Sequence, residues 1–138
     1  MKRIICLDIG EKRIGIALSD PLFITAQGVE TYERKNTSAD IEYLVNKAKT
    51  LGADVFLVGL PLNMNGSFGP QAEKIKSFAE KIKKASKMEL KYFDERLTTK
   101  EAEKVLIAAD LSRAKRRKVI DKMAAVVILQ SYLDTISI

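Results

Sequence analysis

The groups in this chain that can do chemistry are acidic, and the first of them stands in an unusual place. In "IICLDIGEKRIGIALSD", Asp8 is flanked by Ile4, Ile5, Leu7 and Ile9, an apolar run expected of a strand buried on both faces and therefore central in its sheet. An ionised carboxylate there is costly without a partner. Two arrangements remove the cost: hydrogen bonds from the following turn, or a metal ion. A second acidic position follows a later strand in "YFDERLTT", where alternation sends Asp94 and Glu95 to opposite faces. One of the two can face a site, and spacing does not choose between them; a solvated strand end or an ion pair with Arg96 is the competing reading. Asp121, in "VIDKMAAVVILQSYL", is expected in the first turn of the last helix, where an acid also complements the helix dipole.

The 138 residues contain no histidine, which excludes histidine general bases, Ser-His-Asp triads and the usual zinc sites. Carboxylates with a hard divalent cation are then the leading option. Three converging carboxylates can hold two Mg²⁺ or Mn²⁺ ions roughly 4 Å apart, one activating water and one stabilising the leaving oxygen of a phosphodiester. Asp8 is placed to bridge both ions, with the acid after the fifth strand and Asp121 each completing one site.

The charge balance points to the same kind of substrate. The formal net charge is +6, which favours polyanionic partners. Arg113, Lys115, Arg116, Arg117 and Lys118 form a dense basic run just before Asp121, suited to phosphate-backbone contact beside an acidic metal site; a solvated interhelical connector is the plainer alternative. Arg13, Asn65 and Arg96 are further candidate contacts to nucleic acid. The loop "GLPLNMNGSFGP" offers backbone N–H groups to a phosphate, although it lacks the G-x-x-x-x-G-K-[ST] pattern and Asn65-Gly66 also reads as an ordinary turn.

These residues need elements to position them. Residues 3–9 and 13–20 read as strands joined by Gly10-Glu11-Lys12, with a third extended segment over 24–34. Thr37, with Asp40 three residues on, opens a helix with Ile41, Leu44, Val45, Ala48 and Leu51 on one face. "VFLVGL" reads as a doubly covered parallel strand, followed by a helix with the stripe Ile75, Phe78, Ala79 and Ile82, then a fifth strand over 87–95. Thr98-Thr99-Lys100-Glu101 predicts a third helix, and after the basic connector a last helix spans about 119–134, burying Met123, Ala124, Val127, Ile128 and Tyr132. The order βββαβαβαα predicts an α/β fold in which a mixed five-stranded sheet, a three-stranded antiparallel meander plus parallel strands, is flanked by helices. With 46% apolar and 30% charged residues and no linker-like stretch, residues 1–138 are expected to form a single domain. One cysteine, no apolar run of membrane-spanning length and no signal-peptide core lead to the expectation of a cytoplasmic protein without membrane contact.

Taken together, "LDIGEKRIGIALSD", "VGLPLNMNGSFGP", "FDERLTTKEAE" and "RRKVIDKMAAVVILQSYLD", in that order and spacing, resemble the YqgF/RuvX family. That family is described both as Holliday junction resolvases and as pre-rRNA nucleases, within the RNase H-like superfamily. The resemblance implies an RNase H-like fold and an acidic triad of Asp8, Glu95 and Asp121, favouring Glu95 over Asp94. It implies a metal-dependent nuclease acting in 5′-end processing of the small-subunit (pre-16S) ribosomal RNA, with a structured RNA precursor as partner and a monomer or weak homodimer as the working form. Cleavage of four-way DNA junctions is the second reading. Glu11 departs from the family pattern by adding a carboxylate near Asp8.

Two other classes compete. Asp8-Ile9-Gly10 followed by Ala17 also resembles the first phosphate loop of actin- and hexokinase-like ATPases, but those bind ATP between two domains and this chain has length for one. A non-catalytic nucleic-acid-binding module would account for the basic charge but not for three acids together.

Overall fold

The computed structural model describes residues 3–98 and 113–136, with side chains in the last segment described from Lys122 onward. Five strands form one sheet: β1 (Ile4–Ile9), β2 (Arg13–Ser19), β3 (Ala26–Glu33), β4 (Val55–Leu60) and β5 (Glu89–Asp94), in the order β3-β2-β1-β4-β5. The β1-β2 and β2-β3 pairs are antiparallel, and β1-β4 and β4-β5 are parallel, so the expected mixed sheet is present with β1 at its centre. The β1-β2 turn is tight. The Gly10 N–H donates to the Arg13 carbonyl at 2.8 Å, and a Cβ on Gly10 would stand 2.8 Å from that same oxygen.

Alternation divides β1 and β4 between two cores. Ile5, Leu7, Ile9, Phe56, Val58 and Leu60 face helices α1 (Thr37–Thr50) and α2 (Pro70–Ser86). Ile4, Cys6, Val55 and Leu57 face α3 (Arg113–Ile136) across the other side of the sheet. Both faces of the central strands are thus dry, which is why their sequences run apolar without a break.

Several boundaries differ from the sequence reading. The third strand is shorter than expected because Asp20 ties down the β2-β3 connection: its carboxylate accepts from Leu22, Ile24 and Thr25 N–H. Helix α1 is capped one residue earlier, by Asn36, whose side chain accepts from Ala39 N–H at 2.9 Å; Thr37 is already helical, and Asp40 is buried instead of closing a capping box. The last helix begins at Arg113, not near 119, because Arg, Ala and Lys are strong helix formers and nothing in the basic run breaks the helix. Its buried positions also differ. Ala125, Val127, Ile128, Leu129 and Leu133 are buried, while Met123, Ala124 and Tyr132 are half-buried, since the segment is apolar around most of its circumference and packing, not periodicity, selects the face. The expected third helix lies, from Thr99 onward, outside the described residues.

Candidate active site

The parallel pairing of β1 with β4 sets Leu7 beside Val58. One step further along both strands, Asp8 and Gly59 stand side by side on the α3 face, continuing the alternation of Cys6 and Leu57. Gly59 lacks a side chain, and two neighbours fill the gap. From the position a Cβ would take, Ile128 Cδ1 of α3 lies at 2.7 Å, and Glu95 Cγ and Cδ lie at 3.2 and 3.3 Å. The missing Cβ lets the Glu95 carboxyl fold in over β4 toward Asp8.

The electrostatics follow from that proximity. Burial first, then the charges of Asp8 and Asp94, push the Glu95 carboxyl up to about 7. Cys6, buried one residue pair below on the same face, has its thiol raised well above the ordinary value by burial, then by Asp8 and Glu95. Among the described residues no side chain donates a hydrogen bond to the Glu95 carboxylate. Two carboxylates crowded in a half-buried pocket form a hard-oxygen environment that a divalent cation would neutralise.

Asp94 and Glu95 separate cleanly. The strand ends at Asp94, and Glu95 opens a 3₁₀ turn, Glu95–Leu97. Asp94 caps that turn, accepting from Arg96 N–H at 3.0 Å, and it also holds the Arg96 guanidinium, with Nη2 to Oδ2 at 2.6 Å. Arg96 accordingly keeps the Asp94 carboxyl below its usual range. The ion pair and the inward carboxylate, competing readings in the sequence, belong to adjacent residues.

The candidate nucleic-acid contacts are partly engaged within the protein. Arg13 pairs with Glu33 at 3.1 Å. Arg96 also donates to the Met64 carbonyl at 2.9 Å, fastening the loop after β4 to the end of β5. In that loop Asn65 Oδ1 accepts from the Ser67 N–H at 3.0 Å, and Gly66 takes a left-handed φ of 84°, so Asn65-Gly66 is a turn. Arg113, Lys115, Arg116, Arg117 and Lys118 lie in the first two turns of α3, and Asp121 is its ninth residue, not in its first turn. The side chains of these six lie outside the described residues. Among the described residues no cluster of three His, Cys, Asp or Glu side chains is positioned to hold a metal ion. Glu11 is exposed and lines a cavity with Ile75 and Phe78, on the α1/α2 side of the sheet. Gly59 is the site residue missed in the sequence; a glycine inside an otherwise apolar strand is the signal of close approach that could have found it.

A family model described as "RuvX: Holliday junction resolvase" matches residues 2–135. A Clostridium kluyveri protein provisionally named pre-16S rRNA nuclease is 54% identical over 135 residues, covering 98% of each chain. A Clostridium botulinum protein of the same name is 50% identical with the same coverage. Among solved structures, Thermus thermophilus RuvC in complex with a Holliday junction substrate superposes with a TM-score of 0.58 at 10% identity, covering 95% of this chain and 92% of that one. The fowlpox virus resolvase in complex with Holliday junction DNA gives 0.61 at 16%, covering 96% and 97%. The fold is therefore the RNase H-like fold of the resolvases. With the family model spanning nearly all of its length and relatives at half identity or more covering it end to end, the chain belongs to the RuvX family.

Proposed function

We propose that this protein is a divalent-metal-dependent nuclease that hydrolyses phosphodiester bonds at the 5′ end of pre-16S ribosomal RNA, in the cytoplasm, as a single-domain enzyme. The observation that carries the proposal is the meeting of Asp8 and Glu95 over the side-chain-free Gly59. The printed name of the 54% identical relative supports RNA as the polymer.

In this reading Asp8, Glu95 and Asp121 hold Mg²⁺ or Mn²⁺, two ions being the number three carboxylates suit. Support for Asp121 comes from helical spacing: position 121 shares a stripe of α3 with Ala125 and Ile128, and Ile128 touches Gly59. When bound, the ions would neutralise the scissile phosphate and lower the pKa of the attacking water. The chain's own part is to fix carboxylate geometry. Gly59 and Ile128 confine Glu95, β1 fixes Asp8, and the dry core below them prevents both from swinging away. The Asp94–Arg96 pair holds the turn that carries Glu95. Basic residues 113–118 would hold the RNA backbone.

The test offers precursor RNA and synthetic four-way DNA junctions side by side to the purified protein with Mg²⁺ or Mn²⁺. Trimming of the RNA is expected, reduced at least about a hundredfold in Asp8→Asn, Glu95→Gln and Asp121→Asn. Junction cleavage with untouched RNA would replace this reading with the resolvase one, and binding of both without cutting would leave a non-catalytic module.

A further inference from the structure

On the sheet face opposite the acids, the end of β1 opens into a cavity of about 560 Å³ between the β1-β2 turn, the start of α1 and one side of α2. Its floor is apolar, made by Ile9, Ile75 and Phe78. The Arg34 guanidinium lies on the Phe78 ring at 4.5 Å and is locked there by Asp40 and by the Gly10 carbonyl, at 3.0 and 2.9 Å. Lys74 and Lys81 stand on the same stripe of α2, two turns and about 10 Å of helix rise apart, and neither is paired with a carboxylate among the described residues. A more open cavity adjoins this one across Arg34 and Lys74, bordered by Lys12 and Lys35.

We propose that this cavity is a nucleotide subsite, taking one unpaired nucleotide of the substrate strand next to the bond cut at Asp8 and Glu95. The proposal rests on the nuclease reading for its substrate. Each part of a nucleotide has a matching feature. A planar guanidinium held rigid on an aromatic ring is a stacking surface for a base. Two lysines about 10 Å apart along the helix, each on a flexible four-carbon stem, can converge on the two phosphates that flank one nucleotide within a chain, which suits them better than a single terminal phosphate. Glu11 on the rim accepts hydrogen bonds, from a 2′-hydroxyl or an exocyclic amine. The cavity and the acids are linked by the shortest possible path: Ile9 and Gly10, which line the cavity, directly follow Asp8. A strand crossing the end of β1 at Gly10 has one phosphate on the acid side and its neighbour on the lysine side.

The experiment measures binding without divalent cations, so that affinity is read apart from cutting. Two RNAs are compared, a blunt duplex and the same duplex with a short single-stranded extension. Wild-type protein should bind the extended RNA about tenfold more tightly, one stacked base's worth. Two variants report on the cavity independently: Lys74→Gln with Lys81→Gln, which removes charge, and Ser77→Trp, which fills the cavity from an exposed helical position without changing charge. In both, the ratio of affinities should fall toward one. A retained ratio overturns the proposal, as does equal loss on both RNAs, which would mark a general electrostatic effect. A nucleoside monophosphate titrated alongside separates the remaining source: if it binds and Ser77→Trp abolishes that binding while the RNA ratio stays unchanged, the cavity serves free nucleotides and the strand assignment is wrong. A protein that binds in this way but never cuts sinks the nuclease reading and leaves the subsite standing; one that cuts with an unchanged ratio does the reverse.

Discussion

At Gly59 one hydrogen atom stands where any other residue would put a carbon, and the position of Glu95 depends on it. A Cβ would lie 2.7 Å from Ile128 Cδ1 and 3.2 Å from Glu95 Cγ, closer than van der Waals contact permits, and the backbone here is held by its pairing with Phe93 of β5. Gly59→Ala should therefore destabilise the protein by about 1–3 kcal/mol, the usual range for overpacking, seen as a lowered urea midpoint. Ile128→Val deletes the atom that clashes most. Placed in wild type it costs about 1 kcal/mol; placed in Gly59→Ala it should restore stability, giving a favourable coupling in the double-mutant cycle. Metal-dependent cleavage should not return with it, because the new methyl still displaces the Glu95 carboxyl. Additive losses would mean that Ile128 yields freely and that the gap at Gly59 does not position Glu95.

Between elements, Asp40 is the polar joint that locks α1 to the end of β3. Its carboxylate is almost fully buried and accepts from Tyr32 Oη at 2.9 Å, Arg34 Nε at 3.0 Å and Lys35 N–H at 2.9 Å. Burial alone would raise its pKa, but the Lys35, Arg34 and Tyr32 donors outweigh that and hold it below the ordinary carboxylate range. A depressed folded-state pKa means that the stabilisation is complete above the unfolded value, about 4, and is lost as pH falls through the folded one. Asp40→Asn should cost about 3 kcal/mol at pH 7 and flatten the acid limb of the stability curve below pH 4, measured by urea unfolding across pH; an unchanged acid limb would assign acid unfolding to other carboxylates. This joint also shows what the sequence concealed. Asp40 at its spacing from Thr37 satisfies a local capping pattern, and nothing local reveals donors arriving from β3. The choice between Asp94 and Glu95 was hidden for a related reason: it is settled by Arg96 on one side and by Gly59, distant in sequence, on the other. The central strand, the two-sided core and the placing of a half-buried Asp8 among buried neighbours were legible because each is written in consecutive apolar residues.

At the scale of the molecule, the basic run and Asp121 belong to one helix, α3. Because the helix already begins at Arg113, the basic run is not a loose connector, and helical register divides it. Positions 117 and 118 lie one turn before 121, and 113 one turn before 117, all toward one side of the helix, while 115 and 116 fall on another side. A loose connector could turn all five cations toward RNA; a helix cannot. Replacing Arg113, Arg117 and Lys118 by glutamine should weaken RNA binding and lower the slope of log K against log salt by about 2, at roughly 0.7 per single-strand phosphate contact. Replacing Lys115 and Arg116 should change the slope by less than one contact's worth. The measurement is a metal-free binding titration at several salt concentrations, where the slope counts displaced counterions independently of sequence preference. Losses that scale only with the number of cations removed, whichever stripe they come from, would show that the RNA meets the helix in no fixed orientation, and the alignment of the basic stripe with Asp121 would then have no part in presenting the backbone to the acids.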